Sequence, residues 1–144
     1  MKKLGLDWGQ KRIGIAITDE ILAFAHPLDI IKNSFKIKDF LKDIIKEEDI
    51  DEVVVGLPLT LRGEIGEQAV KVKKQVDKIF KDIKVKLTFW DERMSTIHAD
   101  RLLKEKEFIY KKRKKVKKVN DKIAACLILQ NYLDYLKKKN EKIL

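Results

Sequence analysis

The chain has 144 residues, 44% of them hydrophobic and 39% charged, which suits one packed domain and excludes a disordered chain. No run approaches the ~18 apolar residues of a membrane span, and the single cysteine, Cys126, excludes an internal disulfide. The net charge is +10, and the whole excess lies in the last third: residues 1–100 carry 18 basic and 18 acidic side chains, whereas residues 101–144 carry 15 and 5.

Residues 3–7 (KLGLD) read as a short strand, and Trp8 to Lys11 as a turn containing Gly9. Arg12 to Thr18 alternate as a second strand, a hairpin partner of the first. Residues 23–31 predict a third strand, in which Pro27 favours an edge or a bulge over a central place. Ile37, Phe40, Leu41, Ile44 and Ile45 have the spacing of one helical face over 36–47. Residues 51–56 (DEVVVG) form a continuous apolar run, as in a strand buried on both sides. A loop with Pro58, Gly63 and Gly66 follows, then a helix with Ala69, Val72, Val76, Ile79 and Phe80 on one face, then a strand over 85–90.

Ser95 offers an N-cap for a helix to about Glu107. Residues 108–119 form a basic segment, and Asn120 is placed as the cap of a final helix to about Lys139. Three strands in a meander, followed by alternating helices and strands, imply an α/β domain over 1–144. Its sheet should be mixed and five-stranded, with helices on its faces. The N-terminus passes from Lys2 and Lys3 straight into a strand, without the apolar core of a signal peptide, so a cytoplasmic location is expected. Cys126 sits in an apolar run and reads as a packing residue.

The chemistry concentrates at the ends of strands, where ligands gather in open α/β sheets. Asp7 closes the first strand, either as a metal ligand or as the acid of a turn. Asp91, Glu92 and Arg93 follow the last strand, as site residues or as a surface ion-pair cluster. Asp121 opens the final helix on or near its apolar face, with Ala124, Ala125 and Ile128 one and two turns on. An acid in a first helical turn is also favoured by the helix dipole alone. Carboxylates from separate elements suit divalent ions, which can activate water and stabilise the leaving oxygen of a phosphodiester. Lys111, Lys112, Arg113, Lys114, Lys115, Lys117 and Lys118 form a basic block with no acid among them, which suits a polyanion. His26 and His98 have no Cys or His partner at zinc-like spacing.

Four motifs together identify a family: LGLDWGQKRIGIAITD at 4–19, VVVGLPL at 53–59, DERMST at 91–96 and KVNDKIAACLILQNYLD at 118–134. In this order they resemble the YqgF/RuvX family, named as Holliday junction resolvases and related to RNase H. The resemblance covers essentially the whole chain. It implies an RNase H-like mixed sheet and a Mg²⁺- or Mn²⁺-dependent nuclease. Asp7, the Asp91–Glu92 pair and Asp121 would be the metal-binding catalytic acids. Strand alternation sends Asp91 and Glu92 to opposite sides, and both remain candidates. Lys11 and Arg12 resemble positions near substrate phosphates, and Arg93 a supporting partner. Where relatives read Asn-Met-Asp-Gly after GLPL, this chain has Thr60, Leu61, Arg62 and Gly63, which removes an acid and adds a phosphate-friendly arginine. Glu64 and Glu67 are further acids nearby.

The resemblance points to precursor 16S ribosomal RNA, trimmed at its 5′ end, or to branched DNA; a basic segment binds either polymer. Junction cleavage would call for a symmetric dimer, whereas RNA trimming fits a monomer or weak homodimer. A non-catalytic RNA-binding module would keep the basic block and dispense with the acids. The actin and sugar-kinase superfamily also carries Asp-x-Gly on its first strand, but normally needs two such domains.

Overall fold

Leu4, Leu6 and Trp8 alternate with Gly5 and Asp7 along the first strand, and that alternation sorts the molecule into layers about a sheet. The computed structural model describes residues 1–58, 66–91 and 117–143, with backbone alone at 117–122 and 141–143. Its strands are β1 (Lys2–Trp8), β2 (Arg12–Thr18), β3 (Ala25–Lys32), β4 (Ile50–Leu57) and β5 (Lys86–Asp91). Its helices are α1 (Ile37–Glu47), α2 (Glu67–Phe80) and α3 (Lys117–Ile143).

The strand order is β3-β2-β1-β4-β5. The pairs β1–β2 and β2–β3 are antiparallel, whereas β1–β4 and β4–β5 are parallel. This is the mixed five-stranded sheet expected of an RNase H-like fold. β3 lies at an edge, and its register slips at the proline: Ile15 pairs with Asp29 but Ala16 with Pro27. Pro27 has no N–H for a ladder, so edge and bulge together accommodate it.

On one face, Leu4, Leu6, Trp8, Val53 and Val55 pack against Ile37 and Leu41 of α1 and Val72, Val76 and Phe80 of α2. On the other, Ala16, Val54 and Trp90 pack against Ala125, Ile128, Leu129, Tyr132 and Leu133 of α3. Gly5 allows this second contact: a Cβ there would stand 2.7 Å from Leu129 Cβ and 3.1 Å from the Ala125 carbonyl. Cys126 packs against this layer, and burial pushes its thiol pKa up, as befits a packing residue.

One boundary departs from expectation. Lys117 to Val119 are already helical, so Asn120 lies within α3 instead of capping it. Lysine is a good helix former, and a docked apolar face further along sustains the helix back through these residues. The helix expected over 95–107 lies outside the described residues. Among those described, no helix is long and apolar enough to cross a membrane.

Candidate active site

Asp7 is the next-to-last residue of β1, half-buried, with its Cα partner Gly14 on β2. One step past the Leu6–Val55 pairing, it draws level with Gly56 of β4, itself paired with Trp90 of β5. Asp7 shares the parity of Gly5 and so faces the α3 layer. The residues level with it on the two adjacent strands, Gly14 and Gly56, carry no side chains on that face.

The direction of α3 matters here. Ala125 and Leu129 lie over Gly5. Further along, Gln130 Oε1 accepts a 2.9 Å bond from the N–H of Ala25, and the Tyr132 hydroxyl donates to Glu52 at 2.6 Å. Glu52 pairs with Lys3, near the start of β1. α3 therefore runs antiparallel to β1, and its N-terminal part points toward Asp7. One turn back from Ala125 is position 121, a rise of about 6 Å. Two strand residues from Gly5 to Asp7 cover about the same length. The backbone at 121, the fifth residue of α3, thus lies toward the Asp7 end of β1. The helix dipole fades beyond the first turn, so it does not account for an acid there.

Asp91 is the last residue of β5, level with Leu57 and half-buried. Phe89 packs with the α1–α2 layer and Trp90 with the α3 layer. By that alternation Asp91 belongs to the α1–α2 side, opposite Asp7. Both aspartates engage other groups of the molecule. Arg12 alternates with buried Ile13 and so shares Asp7's face at the start of β2, while Lys11 is exposed in the β1–β2 turn. Glu67 is exposed in the first turn of α2. His26 is exposed on β3, its Nε2 3.9 Å from Asp19 Oδ2.

Glu92, Arg93, Arg62, Glu64, His98 and Lys111, Lys112, Arg113, Lys114 and Lys115 lie outside the described residues. Lys117, Lys118 and Asp121 are placed by helix backbone alone. No group of three metal-binding side chains occurs among the described residues, in which the side chains of only two of the four candidate acids, Asp7 and Asp91, are described. Carboxylate oxygens are the donors that Mg²⁺ and Mn²⁺ prefer, so the donor chemistry of these acids fits such an ion.

Two further groups shape the site and left no plain signal in the sequence. Glu52, with its side chain 3% exposed, accepts from Lys3 Nζ at 2.8 Å, Thr88 Oγ1 at 2.5 Å and Tyr132. Burial alone would raise its pKa, but hydrogen bonds from Lys3, Thr88 and Tyr132 outweigh that and hold it at about 2. Burial and the bond to Glu52 push the Tyr132 hydroxyl pKa up in turn. This network fastens α3 to the sheet at the end remote from Asp7. Asn33 fastens the β1–β2 turn: its Nδ2 donates to the Gly9 carbonyl and its backbone N–H to the Lys11 carbonyl, both at 2.9 Å.

Comparison with known proteins follows the same lines. A family model described as RuvX, Holliday junction resolvase, matches residues 1–135. A protein of Thermoanaerobacter pseudethanolicus with the provisional name pre-16S rRNA nuclease is 44% identical, over 96% of this chain and 100% of its own length. One of Carboxydothermus hydrogenoformans with the same name is 43% identical, over 97% and 100%. Among solved structures, T. thermophilus RuvC with a Holliday junction superposes at a TM-score of 0.62, with 15% identity and 96% of each chain covered. The fowlpox virus resolvase with junction DNA gives 0.56, with 14% identity, over 94% of this chain and 99% of that one. At such identities these two bear on the fold alone.

Proposed function

The chain belongs to the RuvX family, and from that premise we propose that it is a nuclease. As one domain over residues 1–144, it would hydrolyse phosphodiester bonds of structured nucleic acid with a divalent Mg²⁺ or Mn²⁺. Its substrate would be precursor 16S ribosomal RNA, cut near the 5′ end. The observation that supports this reading is the antiparallel course of α3 along β1, which directs the N-terminal part of α3 toward the end of β1 that carries Asp7.

Asp7 and Asp121 would hold the ion from opposite elements, joined by one acid of the Asp91–Glu92 pair. Bound there, the ion would supply an activated water and charge stabilisation at the leaving oxygen. Arg12 and Lys11 would orient the substrate phosphates beside Asp7, with Arg62, Arg93 and the basic residues at 111–118 adding attraction for the polymer. Ribosomal RNA is favoured by the names of relatives at 43–44% identity. Branched DNA is the second reading, favoured by the description of the family as Holliday junction resolvases.

The test is cleavage of a labelled ribosomal RNA precursor fragment and a labelled four-way DNA junction, with Mn²⁺ or with chelator. Metal-dependent cutting by the wild type, abolished in Asp7→Ala, is the expected result. The preferred substrate then separates the two readings. Binding without cutting by the wild type, or equal cutting by Asp7→Ala, overturns the catalytic assignment.

A further inference from the structure

A groove of about 360 Å³ lies between the β1–β2 turn and α2, on the side of the sheet opposite Asp7. Its walls combine three chemistries. Trp8 and Val72 supply apolar surface, Gln10, Gln68 and Gln75 supply amides, and Lys71 and Lys74 supply cations. The three helix amides and cations that recur at Gln68, Lys71 and Gln75 are spaced by three and four, so one face of α2 carries them.

The groove is built in advance of any ligand. The Trp8 indole N–H donates to Gln75 Oε1 at 2.9 Å, which fixes the amide and leaves its Nε2 with two N–H donors. The Gly9 N–H donates to the Arg12 carbonyl at 3.0 Å, and Asn33 clamps the same turn. A Cβ on Gly9 would stand 2.5 Å from that carbonyl, so the turn keeps this shape only with glycine.

Resting on the nuclease reading above, we propose that this groove seats one unpaired nucleotide of the substrate strand. Its volume of about 360 Å³ is at the low end of the ~300–1,000 Å³ of small-ligand clefts, the scale of one nucleotide and too small for a duplex. The apolar surface of Trp8 and Val72 suits a base, amides suit base edges exposed only when the base is unpaired, and lysines suit its phosphate. Trp8 directly follows Asp7 in β1. A strand passing over the carboxyl edge of the sheet from the catalytic acids therefore meets the groove at once. Glutamines reading a base edge distinguish this seat from a general basic surface, which would attract paired and unpaired strands alike.

The experiment uses Asp7→Asn protein, to prevent turnover, and a labelled duplex with or without a three-nucleotide single-stranded extension, in RNA and DNA forms. The extension is expected to tighten binding about tenfold, the scale of one stacked base. Lys71→Glu with Lys74→Glu, and separately Gln68→Ala, are expected to remove that gain while leaving blunt-duplex affinity of the Gln68→Ala protein unchanged. An extension that adds no affinity overturns the seat, as does a Gln68→Ala protein that keeps the full gain. Equal losses on both duplexes in every variant also overturn it, as the mark of long-range charge alone. Wild-type cleavage, measured in parallel, separates the two ideas: cutting without an extension effect sinks the seat, and an extension effect without cutting sinks the nuclease.

Discussion

The Tyr132 hydroxyl and the Glu52 carboxylate meet at 2.6 Å between α3 and β4, at the opposite end of the sheet from Asp7. The pair anchors the helix by its far half and so sets the height at which position 121 arrives beside β1. Tyr132→Phe should cost roughly 1.5–3 kcal/mol, the range for a hydrogen bond to a charged group. Glu52→Leu should cost more, because it leaves the Lys3 ammonium and two hydroxyls without their acceptor. Urea denaturation of the two variants against the wild type measures both.

The same carboxylate makes stability depend on pH in a defined window. Its pKa is about 2 in the folded protein against an ordinary 4.5, so the folded state binds fewer protons between those values. The stabilisation is complete above about pH 4.5 and is lost as pH falls toward 2, on the order of 3 kcal/mol. Denaturation midpoints taken from pH 6 down to pH 3 should fall in the wild type and fall less in Glu52→Gln.

Gly5→Ala tests the close approach of helix and sheet. The added methyl meets Leu129 Cβ at 2.7 Å and a helix carbonyl at 3.1 Å, and backbone on that side cannot yield cheaply. Overpacking of this kind costs about 1–3 kcal/mol. The variant should melt lower and cut far more slowly than it binds, because α3 lifts away from Asp7. A variant with normal cleavage at a temperature where it is fully folded would refute the positional argument.

Asn33→Ala should loosen the β1–β2 turn by removing the side-chain bond to Gly9. The expected loss of stability is about 1 kcal/mol, read from denaturation. Binding of nucleic acid should weaken as well, since Gln10 and Lys11 ride on that turn, and titration with a labelled oligonucleotide reads it.

Millimolar Mg²⁺ or Mn²⁺ should raise the melting temperature of the wild type, because a ligand of the folded state alone stabilises it, by about 1.4 kcal/mol at ten times its dissociation constant. Asp7→Ala should show little of this rise. Thermal melts with metal and with chelator provide the comparison.

Periodicity carries much of this architecture in the sequence itself. Ile37, Leu41, Val72, Val76 and Phe80 fall at helical spacing and all are buried. Pro27 announces an edge strand because its missing N–H is a local fact. The start of α3 was not legible, since Asn120 has the chemistry of a cap, whereas helix extent depends on docking far along the chain. Glu52 looks like the polar lead-in to an apolar strand, and only the fold brings Tyr132, 80 positions away, to its oxygen. The groove between Trp8 and Gln75 was hidden for the same reason, with 67 positions between its two walls. Asp7 stood out by its place at a strand end, yet the sequence did not reveal that Gly14 and Gly56 flank it.

The placement of α3 also sets an order in time. A ribosome makes the chain from the N-terminus at about 5–20 residues per second, so Asp7 emerges several seconds before position 121. The five strands and the helices of the α1–α2 layer are complete by residue 91, while the face that α3 will cover, with Ala16, Val54 and Trp90, is still bare. On the proposed reading, a half-made chain holds the first catalytic acid and lacks the last. On that reading the nascent chain would be inert beside the ribosome's own RNA and would gain its full set of acids only when the final helix docks.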